Sequence, residues 1–257
     1  MIKALEDWKQ ALDANEYVGC ILMDLSKAFD SIPHGLMLAK LNAYGLSTHA
    51  CNFLKSYLCD RKQCVKLSTY RSEWKILERG VPQGSVAGPL LFNIFINDIF
   101  LFLTDSCDIY NYADDNSIAC HNKDVDIVRH RLESAAGIAL KWFKQNHMQA
   151  NADKFQSILF HRSKCIPNYV FNVNNVSIPT ESSVKLLGVL LDNKLNFESH
   201  VSTICKKAAA QVKALMRLPD VLSTSCRKRI YEAFISSHFN YCSLVWHFCG
   251  KKSTRKV

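Results

Sequence analysis

The run YVGCILMD at 17–24 constrains the fold more than any other stretch, because seven nearly continuous apolar residues end at the carboxylate of Asp24. An apolar run of this length reads as a buried strand, here with a carboxylate at its C-terminal end. A second constraint lies at 109–120, where apolar and polar residues flank the acidic turn Asp114, Asp115 and Asn116, the pattern of a hairpin. Taken singly, neither feature is unusual: a strand-end Asp commonly caps a helix or faces water, and Asp favours hairpin turns for local backbone reasons. If the two strands are neighbours in one sheet, three carboxylates converge, and such repulsion persists only with cations among them. Hard oxygen donors with room for water and phosphate favour Mg²⁺.

Elsewhere the pattern mixes strands and helices through about residue 198. Helices are expected at 33–44, at 48–58, from Pro89 to about 102, and at 124–146, the last on the spacing of Val128, Leu132, Ala135, Ile138 and Trp142. Strand-like pieces fall at 63–67, 74–77, 155–160 and 184–191, with a Gly- and Pro-rich loop at 80–89. From 199 the pattern turns helical, with one break at 219–223 and a basic run at 251–256. The expected class is therefore α+β: a mixed domain at 1–198 followed by a smaller, basic, helical one at 199–257.

Charge follows the same division. Residues 1–150 carry 16 Lys and Arg against 17 Asp and Glu, and residues 151–257 carry 16 against 6. Acidic groups early and basic groups late suit an enzyme that holds cations in one place and a polyanion in another, although two ordinary solvated surfaces give the same totals. No stretch approaches the roughly 18 uninterrupted apolar residues of a membrane span, and residues 1–12 lack a signal-peptide pattern, so the expected setting is intracellular with no membrane partner. Eleven cysteines without a CxxC pair indicate neither a disulfide framework nor a zinc ribbon. His238, Cys242, His247 and Cys249 match no standard zinc knuckle.

Three ordered strings carry a sharper signal: ILMDLSKAFDSIPH at 21–34, RGVPQGSVAGPLLFNIFIND at 79–98 and YADD at 112–115. With NADK at 151–154 and KLLGVLLD at 185–192, their order and spacing resemble the palm motifs of reverse transcriptases of LINE-type (non-LTR) retrotransposons, jockey-like ones especially. A bare YADD is weak; five motifs in family order are not. RIYEAFISSHFNYCSLVW at 229–246 resembles the family's helical thumb more loosely. Telomerase and group II intron enzymes fit less well, because AFDSIPH and SVAGPLLFNIFIND are closer to the LINE versions.

The resemblance implies an antiparallel polymerase palm with packed helices, then a helical thumb, acting as an RNA-directed DNA polymerase on an RNA template, a DNA primer and dNTPs. Asp24 and Asp114 would bind both of two Mg²⁺ ions, with Asp115 completing the cluster, and Lys154 would give a proton to pyrophosphate, although Phe155 replaces the Thr usual after it. Phe29 would sit beneath the sugar of the incoming nucleotide, with Gln83, Gly84 and Arg79 around its pocket; without the motif these read as a core Phe and a plain glycine loop. Lys185 and Gly188 would form the primer grip, and Lys206, Lys207 and Arg229 would neutralise phosphates. Asp30 is read as a local cap before Pro33, and Tyr231, Phe234 and Phe239 as thumb core. The match begins after the family's endonuclease and fingers, so the chain is expected to have reduced or no activity alone. The rival reading is a non-catalytic retrotransposon remnant that binds RNA or DNA.

Overall fold

A computed structural model describes residues 1–103, 107–163, 168–218, 222–247 and 249. The basic run at 251–256 and part of the break at 219–223 lie outside them. The chain enters on α1 (Ile2–Asp13) and passes into β1 (Tyr17–Ser26), α2 (Ala28–Ser31), α3 (His34–Ala43) and α4 (Thr48–Leu58). Two nested pairs of two-residue strands follow, β2 (Lys62–Gln63) with β5 (Lys75–Ile76) and β3 (Lys66–Leu67) with β4 (Tyr70–Arg71). Next come α5 (Ala87–Ile96), a 3₁₀ turn at Asn97–Leu101, the hairpin β6 (Asp108–Tyr112) and β7 (Asp115–Asn122), and α6 (Val125–Gln145). Strands β8 (Gln149–Ala150) and β9 (Gln156–Phe160) precede two further hairpins, β10 (Val170–Val173) with β11 (Val176–Pro179) and β12 (Ser183–Leu186) with β13 (Val189–Asp192). The chain then runs through α7 (Glu198–Met216), α8 (Thr224–Ile230), a π-helical stretch at Tyr231–Ser236, α9 (Ser237–Asn240) and α10 (Ser243–Trp246).

The main sheet is antiparallel. β7 separates β6 from β1, and the far edge of β1 pairs with β9 over Val18–Leu22 and with β8 at Leu25 and Ser26. β1 is buried on both faces, which is why its sequence is continuously apolar rather than alternating. Ile21, Met23 and Leu25 join one core with α3, α5 and α6, while Val18 and Cys20 join a second with α1, α7 and the β12–β13 hairpin. On α6 the buried stripe is Val128, Leu132, Ala135, Ala139 and Trp142, and Asp124 caps its start by accepting from the Asp126 amide at 2.9 Å. Ile138, expected in that stripe, is half-buried, because Ala139 takes the inward position.

The second core spans the expected boundary at 198. Trp8 of α1 stacks on Phe160 of β9 with centroids 5.2 Å apart, and Val201, Ile204, Val245 and Trp246 of the C-terminal segment belong to the same cluster. Two thumb aromatics differ from expectation. Tyr231 and Phe234 are 49% and 60% exposed, since the π-helical stretch turns only Ile235 fully inward, whereas Phe239 packs against the second core. Among the described residues no helix is long and apolar enough to cross a membrane.

Candidate polymerase active site

Strand register brings the acidic residues together. β1 and β7 run antiparallel with Asp24 directly opposite Asp115, so their Cβ atoms lie about 5 Å apart on one face. The β6–β7 hairpin closes through Ala113, whose φ of 53° makes the tight turn, and Asp114. Asp114 is exposed in that turn, and its carbonyl accepts from the Asn116 side chain at 2.8 Å. Burial raises the Asp115 carboxyl above its usual range, and the neighbouring charges of Asp114 and Asp24 raise it further.

The strand end also fixes the NADK segment. The Asp24 carbonyl accepts from the Asn151 amide at 2.9 Å, and a 3₁₀ turn at Ala152–Lys154 then sends Lys154 back so that its Nζ lies 3.3 Å from Asp24 Oδ2. Phe155, the departure from the motif, is 8% exposed and fills the first core. A cavity of about 490 Å³ has Asp24, Asp115, Asp153, Lys154, Glu181 and Lys185 in its wall. Lys185 arrives on the β12–β13 hairpin, read from sequence as one strand; it reverses at Leu187 and Gly188, with φ of 46° and 82°. Asp114 is not in that wall. Among the described residues no three His, Cys, Asp or Glu side chains are arranged to hold a metal ion by themselves.

A second cavity of about 750 Å³ includes Lys27, Arg61, Lys62, Arg79 and Gln83. Its floor is the 79–83 loop strapped onto the turn after β1: the Gly80 amide donates to the Ile32 carbonyl at 2.8 Å, the Val81 amide to Phe29 at 2.9 Å, and His34 Nε2 to the Gly80 carbonyl at 2.8 Å. Asp30 is not the local cap expected of it. Its Oδ1 accepts from Gln83 Nε2 at 3.0 Å, a link between residues 53 apart in sequence that local patterning could not disclose. Arg79 and Gly84 are exposed, Gly84 with φ of 78°. Phe29 is half-buried and stacks on Phe92 with centroids 4.3 Å apart. It borders neither cavity.

The remaining candidates lie away from both cavities. Lys206 and Lys207 are exposed on α7 and Arg229 on α8, and none of the three forms an ion pair among the described residues. Sequence reasoning missed Tyr241. Its hydroxyl donates to the Leu187 carbonyl at 2.7 Å, and its ring would lie 3.4 Å from a side chain at Gly188, so it covers the turn next to Lys185.

An antiparallel sheet with acidic residues at a strand end and the adjoining hairpin, flanked by helices, is a polymerase palm. The family described as "Reverse transcriptase (RNA-dependent DNA polymerase)" matches residues 2–191. The chain is 28% identical over 262 residues to an RNA-directed DNA polymerase from the mobile element jockey of Drosophila funebris, and 26% identical over 258 residues to that of Drosophila melanogaster. Each match covers 96% of this chain and 28% of the relative, so the chain spans less than a third of their length. Telomerase from Candida tropicalis, solved with the TWJ fragment of telomeric RNA, superposes with a TM-score of 0.54 over 95% of this chain and 42% of that one, at 11% identity. That likeness shows the fold alone. The chain belongs to the reverse transcriptase family.

Proposed function

We propose that this chain supplies the palm and thumb of an RNA-directed DNA polymerase that adds dNTPs to a DNA primer 3′-hydroxyl on an RNA template. The observation that carries the reading is the register placing Asp24 opposite Asp115, with Lys154 and Lys185 in the wall of the same cavity. The donor set fits Mg²⁺, which needs only one or two carboxylates when substrate phosphates and water complete its shell. Burial first, and then the charges of Asp114 and Asp24, disfavour the ionised Asp115 carboxyl, a penalty that a bound cation would offset. Asp24 and Asp115 are the pair that would hold the ions, with Asp114 adding charge from the turn. Two bound Mg²⁺ would acidify the primer hydroxyl and neutralise the departing pyrophosphate.

The chain's own groups do the rest. Lys154, held beside Asp24 and still open to water, is placed to give a proton to pyrophosphate. Gln83, oriented by Asp30, offers its carboxamide to a nucleotide or template base, and Arg79 offers charge to phosphate beside it. Phe29, stacked on Phe92 outside both cavity walls, is given the role of the ring that excludes a 2′-hydroxyl on the motif resemblance alone. The grip turn at Leu187 and Gly188, under Tyr241, holds the primer end, and Lys206, Lys207 and Arg229 contact phosphates. Residues 1–198 and 199–257 serve as palm and thumb in this reading, although they share a core.

Primer extension on an RNA template with Mg²⁺ tests it in a protein that joins the family's fingers region to this chain, as wild type, Asp24→Asn and Asp115→Asn. Extension lost in both variants is the expected result, and extension indifferent to both overturns the site. Binding of template and primer without extension by any of them would favour the non-catalytic reading, which the unpaired cations on α7 and α8 support.

A further inference from the structure

The nested hairpins at residues 61–77 form an arm that no core explains. Every residue from Val65 to Ile76 is exposed, and the arm is held by two ladders of two residue pairs, a Ser72 to Val65 backbone bond at 2.9 Å and a Leu77 to Arg61 bond at 2.8 Å. An isolated pairing that short is marginal in water. Yet the arm carries Val65, Leu67, Tyr70, Trp74 and Ile76 at 59–81% exposure. Surfaces this apolar usually meet a partner.

Charge selects the partner. Arg61, Lys62, Lys66, Arg71 and Lys75 alternate with those apolar groups, and Glu73 is the one carboxylate between residues 61 and 76. Cation and ring are paired directly: Arg71 lies 5.9 Å from the Trp74 ring and Arg61 5.7 Å from Tyr57. Three of the five cations are lysines, which protein interfaces avoid and phosphate backbones attract. Open aromatic faces beside a basic track suit bases that are unpaired, since a duplex keeps its base faces stacked. The base of the arm is continuous with the second cavity, whose wall includes Arg61, Lys62 and Ile76 together with Arg79 and Gln83.

We propose that this arm binds the single-stranded part of the template RNA beside the 79–83 loop, Tyr70 and Trp74 stacking on bases while Lys66 and Arg71 contact phosphates. The inference rests on the polymerase reading for its direction but not for its measurement. Anisotropy with a labelled RNA–DNA duplex, blunt or with a single-stranded 5′ RNA overhang, reads it in the full chain. The overhang is expected to tighten wild-type binding about tenfold or more, the worth of one stacked base. Tyr70→Ala with Trp74→Ala, and separately Lys66→Glu with Arg71→Glu, should erase that gain and leave blunt-duplex binding within about twofold. All four side chains are exposed, so the fold does not depend on them. An overhang gain that survives both double variants, or no gain in the wild type, overturns the proposal; the latter would assign the arm to a protein partner instead. Overhang preference with no primer extension even when the family's fingers region is joined to the chain would overturn the polymerase reading and leave the arm's role standing.

Discussion

Replacing Gly80 by Ala should destabilise the chain far more than replacing Gly84, although both glycines sit in one loop with left-handed backbones, φ of 89° and 78°. An L-residue there costs about 1–2 kcal/mol in backbone strain, and both variants carry that cost. Only Gly80 meets an obstacle: a Cβ would lie 2.9 Å from Asp30 Cα and 3.1 Å from Asp30 O, backbone atoms that cannot rotate away, whereas nothing lies within 4 Å at Gly84. Forcing an extra carbon into such a contact adds about 1–3 kcal/mol, giving roughly 2–5 kcal/mol at Gly80 against roughly 1–2 at Gly84. At about 2–4 °C per kcal/mol for a chain of this size, Gly80→Ala should melt roughly 4–20 °C lower and Gly84→Ala roughly 2–8 °C lower. Because the clash parts the 79–83 loop from the turn after β1, Gly80→Ala should also weaken dNTP binding at temperatures where it remains folded. Paired thermal melts with urea titrations decide the matter. Equal losses at the two positions would show that the loop is not clamped onto Asp30.

The Asp115 carboxyl is raised in the folded chain, so its contribution to stability is complete below the ordinary carboxylate value of 3.8 and is lost as pH rises through the raised folded value. Asp115→Asn should therefore melt higher than wild type near neutral pH without metal and lose the gain that Mg²⁺ gives; a lower metal-free melting temperature in scanning calorimetry would contradict this. His200 is buried, its Nδ1 accepts from the Leu190 amide at 3.3 Å, and burial, then Lys207, lowers its folded pKa below 6.5. Its contribution is present above 6.5 and lost as pH falls through the lowered value, so urea midpoints should drop on going from pH 7.5 to 5.5, and His200→Gln should flatten that drop. Tyr241→Phe removes the bond to the Leu187 carbonyl at a cost of about 0.5–1 kcal/mol, and hydrogen exchange should quicken across residues 183–192, whereas unchanged exchange would mean the hydroxyl does not hold that turn.

The parts of the fold legible in sequence were those whose side-chain pattern is set locally. β1 announced itself because burial on both faces removes alternation, α6 because its stripe keeps a 3.6-residue period, and the β6–β7 hairpin because acidic turn residues interrupt two strands. The KLLGVLLD string hid its hairpin: both arms are apolar, so the turn at Leu187 and Gly188 left no polar mark beyond one glycine. The β10–β11 hairpin was missed although Asn174 and Asn175, both with positive φ, are suited to such a turn. Tyr231 and Phe234 were misplaced because an α-helical period was assumed over residues that adopt π-helical geometry. Within the site, the opposition of Asp24 and Asp115 followed once the two strands were neighbours, whereas the Asp30 to Gln83 link and the Tyr241 contact join residues 53 and 54 apart through tertiary structure alone.

One short stretch serves both cavities, which accounts for the length of the string at 21–34 beyond its single catalytic candidate. Its strand half puts Asp24 in the acidic cavity, and its second half, after Lys27 turns the chain with φ of 48°, supplies Lys27, Asp30 and His34 to the basic one. The same second half binds the 79–83 loop through two backbone bonds, at Phe29 and Ile32, and two side-chain bonds, from Asp30 and His34, so four links together set the spacing of the two cavities. Phosphoryl transfer gains most of its rate from positioning, and small displacements cost it heavily. Carboxylates fixed on a doubly buried strand and a polar loop strapped to the turn that follows are thus one unit, so under the proposed function an error at Gly80 or Asp30 would displace a bound nucleotide even though neither residue borders the acidic pair.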